Sequence, residues 1–153
     1  MKAAGSIILI GLSLAPGLGG RLYRPGQWYL SLELPPFTPP AWVFPAAWSL
    51  LYCLLALGAV LAWLGARSGR GKFPWTVFLV QGALNFFWSF FFFGRHNIIF
   101  SLIELLALIL AVAVLSARFF SLRRAAGWAL IPYLAWLGFA LVLNYSIFLE
   151  NPA

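Results

Sequence analysis

The chain has 153 residues, of which 63% are hydrophobic and 8% are charged, and its formal net charge is +7. A water-soluble domain of this size needs a larger polar fraction to cover its surface, so the composition excludes a soluble protein and indicates an integral membrane protein. The basic residues flank the apolar runs and form no separate stripe or arm, which argues against binding to nucleic acid.

Five apolar runs are long enough to cross a bilayer, which takes about 20 residues. They cover residues 3–20, 42–64, 73–93, 98–117 and 125–149. We therefore predict an all-α integral membrane protein, a single domain over residues 1–153 in which five transmembrane helices form one bundle. The first run is short and ends at Ala15-Pro16-Gly17, so a signal peptide is the alternative interpretation of it, although no good small-x-small cleavage site follows.

The basic residues of the short links predict the orientation. If the amino terminus and the links after the second and fourth helices share one side, that side holds seven basic residues and the other holds three. The seven are Lys2, Arg67, Arg70, Lys72, Arg118, Arg123 and Arg124, and the three are Arg21, Arg24 and Arg95. The positive-inside rule then places the amino terminus inside and the carboxyl terminus outside. Helices of this hydrophobicity favour an inner membrane.

The longest segment between predicted helices, residues 21–40, joins the first helix to the second. Trp28 and Tyr29 make it too aromatic for a disordered linker, so we predict a long structured loop that folds over the bundle as a lid. Its last part contains four prolines, Pro35, Pro36, Pro39 and Pro40. They keep the chain extended up to the second helix, whose first turn can accommodate Pro40. Pro45 is expected to bend that helix and aim Trp48 inward.

Three predicted helices carry polar and aromatic residues three or four positions apart, so each set lies on one helix face. The sets are Pro45, Trp48 and Tyr52; Phe78, Gln81, Asn85, Trp88 and Phe92; and Tyr133, Trp136, Ala140 and Asn144. Buried amides need partners, so Gln81 and Asn85 should face the bundle interior. Packing alone is the alternative interpretation. However, Trp48, Trp88 and Trp136 lie at mid-depth, whereas indoles usually collect at the interfaces, so we expect a pocket for a flat, apolar ligand.

Ionisable residues inside the spans are few. Glu104 must face protein, be protonated or reach a cavity, so it is either a buried acid bonded across the bundle or a contact for a proton or ligand. One His, one Cys and three acids cannot build a protein-only zinc site, a disulfide or a Cys-His nucleophile, so no metal is expected. His96 is expected to be a solvated loop residue, with axial ligation of a haem as the alternative.

Three separated segments resemble a known family. Trp28-Tyr29 followed by PPFTPPAWVFPAAWSLLY, then QGALNFFWSFFFFG at 81–94 and PYLAWLGFALVLNYSIF at 132–148, are similar to the TspO family of tryptophan-rich sensory and translocator proteins. The resemblance covers all five predicted spans in order. It implies a five-helix bundle, commonly a homodimer, that binds porphyrins such as protoporphyrin IX and haem and, in animal members, cholesterol.

The resemblance also implies the site. In the family the pocket lies beneath the first loop, at positions matched here by Trp42, Trp48, Asn85, Trp88, Trp136, Ala140 and Asn144. We add Trp28 from the loop to these ligand-binding candidates. No cofactor is expected to be required, because protoporphyrin IX or haem would be the ligand. Some bacterial members degrade protoporphyrin IX in light, which makes Trp48 and Trp136 the candidates for a catalytic role.

Two positions depart from the family pattern. Leu34 stands where the family often has a lysine before the first proline of the loop, so one contact for a porphyrin propionate is missing, and Arg21 or Arg24 could substitute for it. No basic residue follows Tyr145, as the sterol pattern of animal members requires, which argues against sterol binding. Membrane lipids are the other expected partners.

Small residues predict a homodimer through the first and third helices. Gly82 with Ala83 and Phe86 places small side chains beside a large one on the third helix, which allows another helix to approach closely. Gly5 and Gly11 are candidates for a second contact on the first helix.

Three functions remain. The first is a membrane receptor or carrier that binds tetrapyrroles for sensing, transport or regulation, with Asn85 and Asn144 orienting the macrocycle. The second is a porphyrin-degrading enzyme, which would give product only under light. The third is a proton-coupled transporter of a small solute, whose flux would depend on Glu104 and not on the tryptophans. We favour the first.

Overall fold

A computed structural model describes residues 2–152, and of Lys2 only the backbone. The α-helices are α1 (Lys2–Leu14), α2 (Gly17–Leu22), α3 (Gln27–Leu30), α4 (Val43–Gly65), α5 (Trp75–Ser89), α6 (Ile98–Leu122), α7 (Arg124–Trp128) and α8 (Ile131–Glu150). Two π-helical turns extend α4 over Ala66–Arg70 and α5 over Phe90–Gly94.

These helices form five candidate membrane spans, each long and apolar enough to cross a bilayer. The spans are Ala3–Leu22, Val43–Arg70, Trp75–Gly94, Ile98–Leu122 and Arg124–Glu150. The prediction of an all-α membrane protein with five spans and a structured first loop is confirmed.

Two spans are divided where the sequence predicted continuous helices. The first breaks between α1 and α2 because Pro16 has no amide hydrogen to continue the helical hydrogen bonds. After the break, α2 lies so close to α5 that a Cβ on Gly19 would be 2.6 Å from the carbonyl oxygen of Phe86. The fifth breaks between α7 and α8, just before Pro132 in the first turn of α8.

The fourth span is longer than predicted. Its expected end was Ala117, the residue before Arg118, but α6 continues to Leu122. Arg118 lies at an exposed position, so its long side chain can extend towards water while the helix continues.

Helix α6 is the centre of the bundle and packs against α4, α5, α7 and α8. Its inward stripe consists of Leu108, Val112, Leu115 and Phe119, each at most 1% exposed. These positions are three or four residues apart, which places them on one face. Helix α1 packs chiefly against α4, with Leu9 fully buried.

The start of α1 and the ends of α4 and α6 lie together at one end of the bundle, called here the basic end. A Cβ on Gly5 would be 2.8 Å from Trp63 Nε1, and a Cβ on Gly65 would be 2.5 Å from the carbonyl oxygen of Leu122. The exposed basic residues of this end are Arg67, Arg70, Lys72, Arg118, Arg123 and Arg124. Gly5 therefore contacts Trp63 within the chain, and its part in a dimer contact stays a prediction.

The opposite end, called here the lid end, carries the loop between α2 and α4. The Tyr23 ring lies edge-on to Phe90 at 5.3 Å, which joins the end of α2 to the end of α5. Helix α4 begins at Val43, whose amide donates to the carbonyl of Pro40 at 2.9 Å. Pro40 therefore lies in a turn before the helix, and its expected place in the first helical turn is corrected.

Candidate functional site

Four polar side chains form a hydrogen-bonded chain across the bundle. The Tyr52 hydroxyl on α4 donates to Asn85 Oδ1 on α5 at 2.7 Å, and Asn85 Nδ2 donates to the Tyr133 hydroxyl on α8 at 2.8 Å. The Tyr133 hydroxyl donates to Gln81 Oε1 at 3.4 Å. Gln81, Asn85 and Tyr133 are at most 5% exposed. The two amides thus face the interior as predicted, and their bonds connect α4, α5 and α8.

The aromatic ring of Trp48 lies directly beside this polar chain, and a second ring pair joins α4 to α8. Trp48 stacks on Tyr52 with 5.5 Å between ring centroids and presents its edge to Tyr133 at 6.1 Å. Trp136 on α8 lies edge-on to Phe44 of α4, also at 6.1 Å. Phe44, Trp48 and Trp136 together are called the aromatic wall below.

Residues 21–40, called the lid below, pack onto the bundle. Trp28, Tyr29 and Leu32 lie against an apolar cluster built on Phe92, Leu143 and Ile147. The Trp28 ring is 5.6 Å from the ring of Phe92 and stacks on His96 at 4.3 Å. This burial raises the pKa of the Tyr29 phenol.

A pair of hydrogen bonds fastens the lid to the carboxyl-terminal end of α8. The Glu33 amide donates to Asn151 Oδ1 at 3.0 Å, and Asn151 Nδ2 donates to the Glu33 carbonyl at 2.9 Å. Asn151 Nδ2 also donates to the carbonyl of Ile147, at 2.9 Å, so its side chain is held on the last turn of α8. We call this pair of bonds the clasp.

Two buried polar atoms of the predicted site have no hydrogen-bond partner among the described residues. Trp88 stacks on Phe92 at 5.1 Å, and its Nε1 donor is unpartnered. Asn144 Nδ2 donates to Ser101 Oγ at 3.1 Å, while Asn144 Oδ1 is unpartnered. Because buried polar groups are normally satisfied, one free donor and one free acceptor here suit a ligand with polar groups of its own.

Glu104 lies one helical turn after Ser101 on α6 and is 6% exposed. Its Oε2 atom is buried and has no partner among the described residues. The expectation that this side chain faces protein is confirmed, and its role stays open to the alternatives given by the sequence.

Most of the predicted site residues pack against one of the two apolar clusters, and Trp28 belongs to the lid itself. Trp88 packs against both the main apolar core and the cluster below the lid, and so connects the two. The others that pack against one of these clusters are Trp28, Trp48, Trp136 and Ala140. Trp42 differs, because it precedes the first turn of α4 and is 71% exposed. As a ligand residue Trp42 stays a prediction.

Sequence reasoning did not assign several residues of this region. Ser101 lies three residues before Glu104, which the sequence did single out, and that spacing indicates a shared face on α6 and a partner for the polar stripe of α8. Phe44 belongs to the proline-rich segment but lies outside the predicted stripe. Asn151 gave no local signal, since its partner Glu33 is 118 residues away.

The sequence profile of the TspO/MBR family matches residues 6–149. The chain belongs to the TspO/MBR family. The tryptophan-rich protein TspO of Archaeoglobus fulgidus is 36% identical over 154 residues, which cover 99% of this chain and 97% of that protein. The translocator protein of Homo sapiens is 34% identical over 150 residues, covering 93% of this chain and 89% of the relative. The tryptophan-rich sensory protein of Cereibacter sphaeroides is 36% identical over 132 residues, covering 86% and 82%.

Membership of the TspO/MBR family confirms the resemblance drawn from the three sequence segments. It groups the chain with membrane proteins named for sensing and translocation. The family match extends over all five spans, so the lid, the aromatic wall and the polar chain all lie within it.

Proposed function

We propose that this chain is a membrane receptor that binds a tetrapyrrole, protoporphyrin IX or haem, beneath the lid for sensing, transport or regulation of porphyrins. The observation that carries the proposal is the pair of unpartnered buried atoms, Trp88 Nε1 and Asn144 Oδ1, among aromatic rings under a fastened lid. A flat macrocycle with polar edges needs ring faces to stack on and a few placed donors and acceptors to orient it.

Each part of the region has a role in this proposal. The aromatic wall offers apolar surface to the macrocycle, and Trp28 covers it from the lid. Asn144 Oδ1 can accept a hydrogen bond from the ligand, and Trp88 Nε1 can donate one. The exposed guanidinium groups of Arg21 and Arg24 at the lid end provide the positive charge for propionates that Leu34 does not supply.

The ligand would enter by displacement of the lid. Trp28 and Tyr29 occupy the surface above Phe92, and the clasp holds the following residues against α8. Entry requires these contacts to open, so the lid acts as a gate whose opening frequency limits the association rate.

The test is an absorbance titration of protoporphyrin IX with detergent-purified protein in the dark. Wild type should give a saturable Soret shift at stoichiometric ligand. The Trp48→Leu, Trp136→Leu variant removes two rings of the aromatic wall and should weaken binding at least about tenfold, or about 1.4 kcal/mol.

A matched variant, Trp75→Leu with Trp128→Leu, removes two exposed tryptophans that do not belong to the candidate site. It should bind as wild type does. Equal, non-saturating shifts in all three proteins would mean that the porphyrin partitions into detergent, and the tetrapyrrole proposal would be abandoned.

Light-dependent degradation of the bound porphyrin is the second candidate function. The stacking of Trp48 on Tyr52 favours it, because an indole that gives an electron to an excited porphyrin would have an oxidisable phenol beside it. Repeating the titration in light and dark with dissolved oxygen separates the two functions. Loss of porphyrin absorbance with protein-dependent product, in light only and reduced in Trp48→Phe, supports degradation, while equal bleaching without protein contradicts it.

We also propose that the chain lies in a bacterial cell membrane with the basic end in the cytoplasm. Seven basic residues in the sequence belong to that end and three to the lid end, in agreement with the positive-inside rule. Five spans then place the carboxyl terminus outside. A carboxyl-terminal alkaline phosphatase fusion should be active and a fluorescent-protein fusion dark, and the reverse result would invert the orientation.

A homodimer completes the proposal. An apolar groove of about 230 Å³ lies between α1 and α5, and Pro16, Phe78, Gly82 and Phe86 contribute to its walls. A Cβ added to Gly11, on α1, would meet nothing within 4 Å. This groove can admit a helix of a second copy at close distance.

A further inference from the structure

A second cavity, of about 480 Å³, lies at the basic end, where α4 turns back towards α5. Trp63, Arg67, Lys72, Phe73 and Trp75 contribute to its lining. The lid and the aromatic wall are at the other end of the bundle, so the tetrapyrrole proposal uses none of these residues. The cavity combines two kinds of surface, a cationic one and an aromatic one.

The link between the two spans forms the cationic side. Gly69 has φ +83° and Gly71 has φ +133°, values that L side chains rarely adopt, so these glycines allow the chain to reverse tightly. The reversal places Arg67 and Lys72 on the same cavity. The Arg67 guanidinium carbon lies 5.7 Å from the centroid of the Trp63 ring, within cation–π range.

Within residues 2–152, no acidic side chain lies beside these charges. The three acidic residues lie elsewhere: Glu33 in the lid, Glu104 on α6 near Ser101, and Glu150 at the end of α8. The two cations that line the cavity are accompanied by exposed Arg70, Arg118, Arg123 and Arg124 at the same end. The electrostatic potential of this end therefore favours an anion.

The aromatic side forms an apolar surface directly beside the charges. The Phe73 ring lies 4.8 Å from that of Trp75 and 6.0 Å from that of Trp63, while the Trp63 and Trp75 rings are 5.8 Å apart. Trp63 lies near the end of one membrane span, Trp75 begins the next and Phe73 lies just before it, at the depth where indoles meet lipid headgroups. A ligand that fits must therefore join an anionic group to an apolar body.

We propose that this cavity is a binding site for an anionic phospholipid of the surrounding membrane. Arg67 and Lys72 bind the phosphate through charge-assisted hydrogen bonds, and the first acyl carbons lie on the rings of Trp63, Phe73 and Trp75. The lipid holds the link between α4 and α5 in place from the membrane surface. The proposal is independent of tetrapyrrole binding.

The experiment measures the lipid that stays with the protein. Protein is reconstituted into vesicles of phosphatidylcholine with a minor fraction of phosphatidylglycerol, re-extracted in mild detergent, and analysed by mass spectrometry for each lipid per protein. Wild type should be enriched in phosphatidylglycerol over the vesicle ratio. The variant Arg67→Gln, Lys72→Gln should lose that enrichment about fivefold or more, because it removes both groups that bind the phosphate through charge-assisted hydrogen bonds.

The matched control is Arg118→Gln, Arg123→Gln, which removes two charges from the same end but none from the cavity lining. It should retain phosphatidylglycerol to within about twofold of wild type, because these two charges add only to the bulk surface potential and hold no lipid in a specific site. Equal losses in the two variants, or no enrichment in wild type, would overturn the proposal.

A competition arm separates a lipid from a soluble anion. Inorganic phosphate, added at a concentration matched in ionic strength by sodium chloride, should displace no more phosphatidylglycerol than the chloride does. If phosphate alone displaced the lipid, the cavity would be a site for soluble phosphate and the phospholipid assignment would be wrong. A Trp75→Ala variant, with both charges intact, should also reduce retention, because the apolar surface is part of the site.

Discussion

Asn85 uses both ends of its amide to join three helices. It accepts from Tyr52 and donates to Tyr133, and all three side chains lie where lipid and protein exclude water. A buried polar group that loses its partner costs more than the bond itself contributed, since no water replaces the partner. The residue is thus a structural joint of the candidate site, whether or not a ligand touches it.

Asn85→Leu should therefore lower the free energy of unfolding by about 2–4 kcal/mol, because it strands the Tyr52 hydroxyl and removes a donor from Tyr133. Titration with sodium dodecyl sulfate from a mild detergent measures the change. Adding Tyr52→Phe should recover part of the loss, since both sides of the Tyr52–Asn85 bond are then absent while Tyr133 keeps its bond to Gln81. The control is Asn97→Ala, which removes an exposed cap on α6 and should lower the free energy of unfolding by about 1 kcal/mol. An equal effect of Asn85→Leu would contradict the role of Asn85 in joining three helices.

Glu104 should destabilise the fold, whereas Asn85 stabilises it, because the buried Oε2 atom of Glu104 has no partner among the described residues. Replacement by methionine keeps much of the volume and removes the unsatisfied oxygen. Glu104→Met should raise the free energy of unfolding by about 1 kcal/mol, or the midpoint of thermal unfolding by about 2–4 °C.

Ile103→Met, at the exposed neighbouring position, should change the midpoint by much less. A lower midpoint for Glu104→Met would show that the carboxyl holds a necessary partner. That outcome would favour the structural alternative, a buried acid bonded across the bundle, over transport, in which solute flux depends on Glu104.

At the scale of elements, periodicity predicts helices and their faces well but predicts their interruptions poorly. The stripe of α5 was visible because Gln81 and Asn85 repeat at helical spacing, and both are buried. The break at Pro16 follows from the missing amide hydrogen of proline, and the extension of α6 beyond Arg118 from how far a side chain reaches water; hydropathy alone encodes neither.

The clasp joins the lid to α8, and no pattern in the sequence predicts it. Asn151→Ala removes both hydrogen bonds between Glu33 and the end of α8, so the lid should open more often. In hydrogen exchange, the Glu33 amide and its neighbours in the lid should exchange about tenfold faster, which corresponds to about 1.4 kcal/mol of lost protection.

Asn97→Ala serves as the control here also, because it alters a cap on α6 at the same end of the bundle and leaves the clasp intact. The lid amides in that variant should exchange at the wild-type rate. Unchanged exchange in Asn151→Ala would mean that the ring contacts of Trp28 and Tyr29 alone hold the lid closed.

At the scale of the whole molecule, composition settled the class and charge distribution settled which links share an end. The close contacts of Gly5 with Trp63 and of Gly65 with Leu122 bring together the ends that the basic residues had grouped. The site is only partly encoded in this way. Helical periodicity identified Trp48, Asn85 and Trp136 as inward-facing residues. Which faces pack against each other depends on the rotation and depth of each helix in the bundle, which one sequence does not determine.

The outer surface of the bundle carries the last prediction, the homodimer through the groove between α1 and α5. Gly82 lines that groove and is only partly buried, and an added Cβ would meet Pro16 at 3.8 Å, an ordinary contact. Gly82→Glu would place a carboxylate between two copies, where neither water nor a partner is at hand, and should give monomer in the membrane and in detergent. In-membrane cross-linking and light scattering after size exclusion report the state. The control is Ala113→Glu, which places a charge in lipid at an exposed position of α6 away from the groove and should leave a dimer. Monomer in both variants, or dimer in both, would place the interface elsewhere.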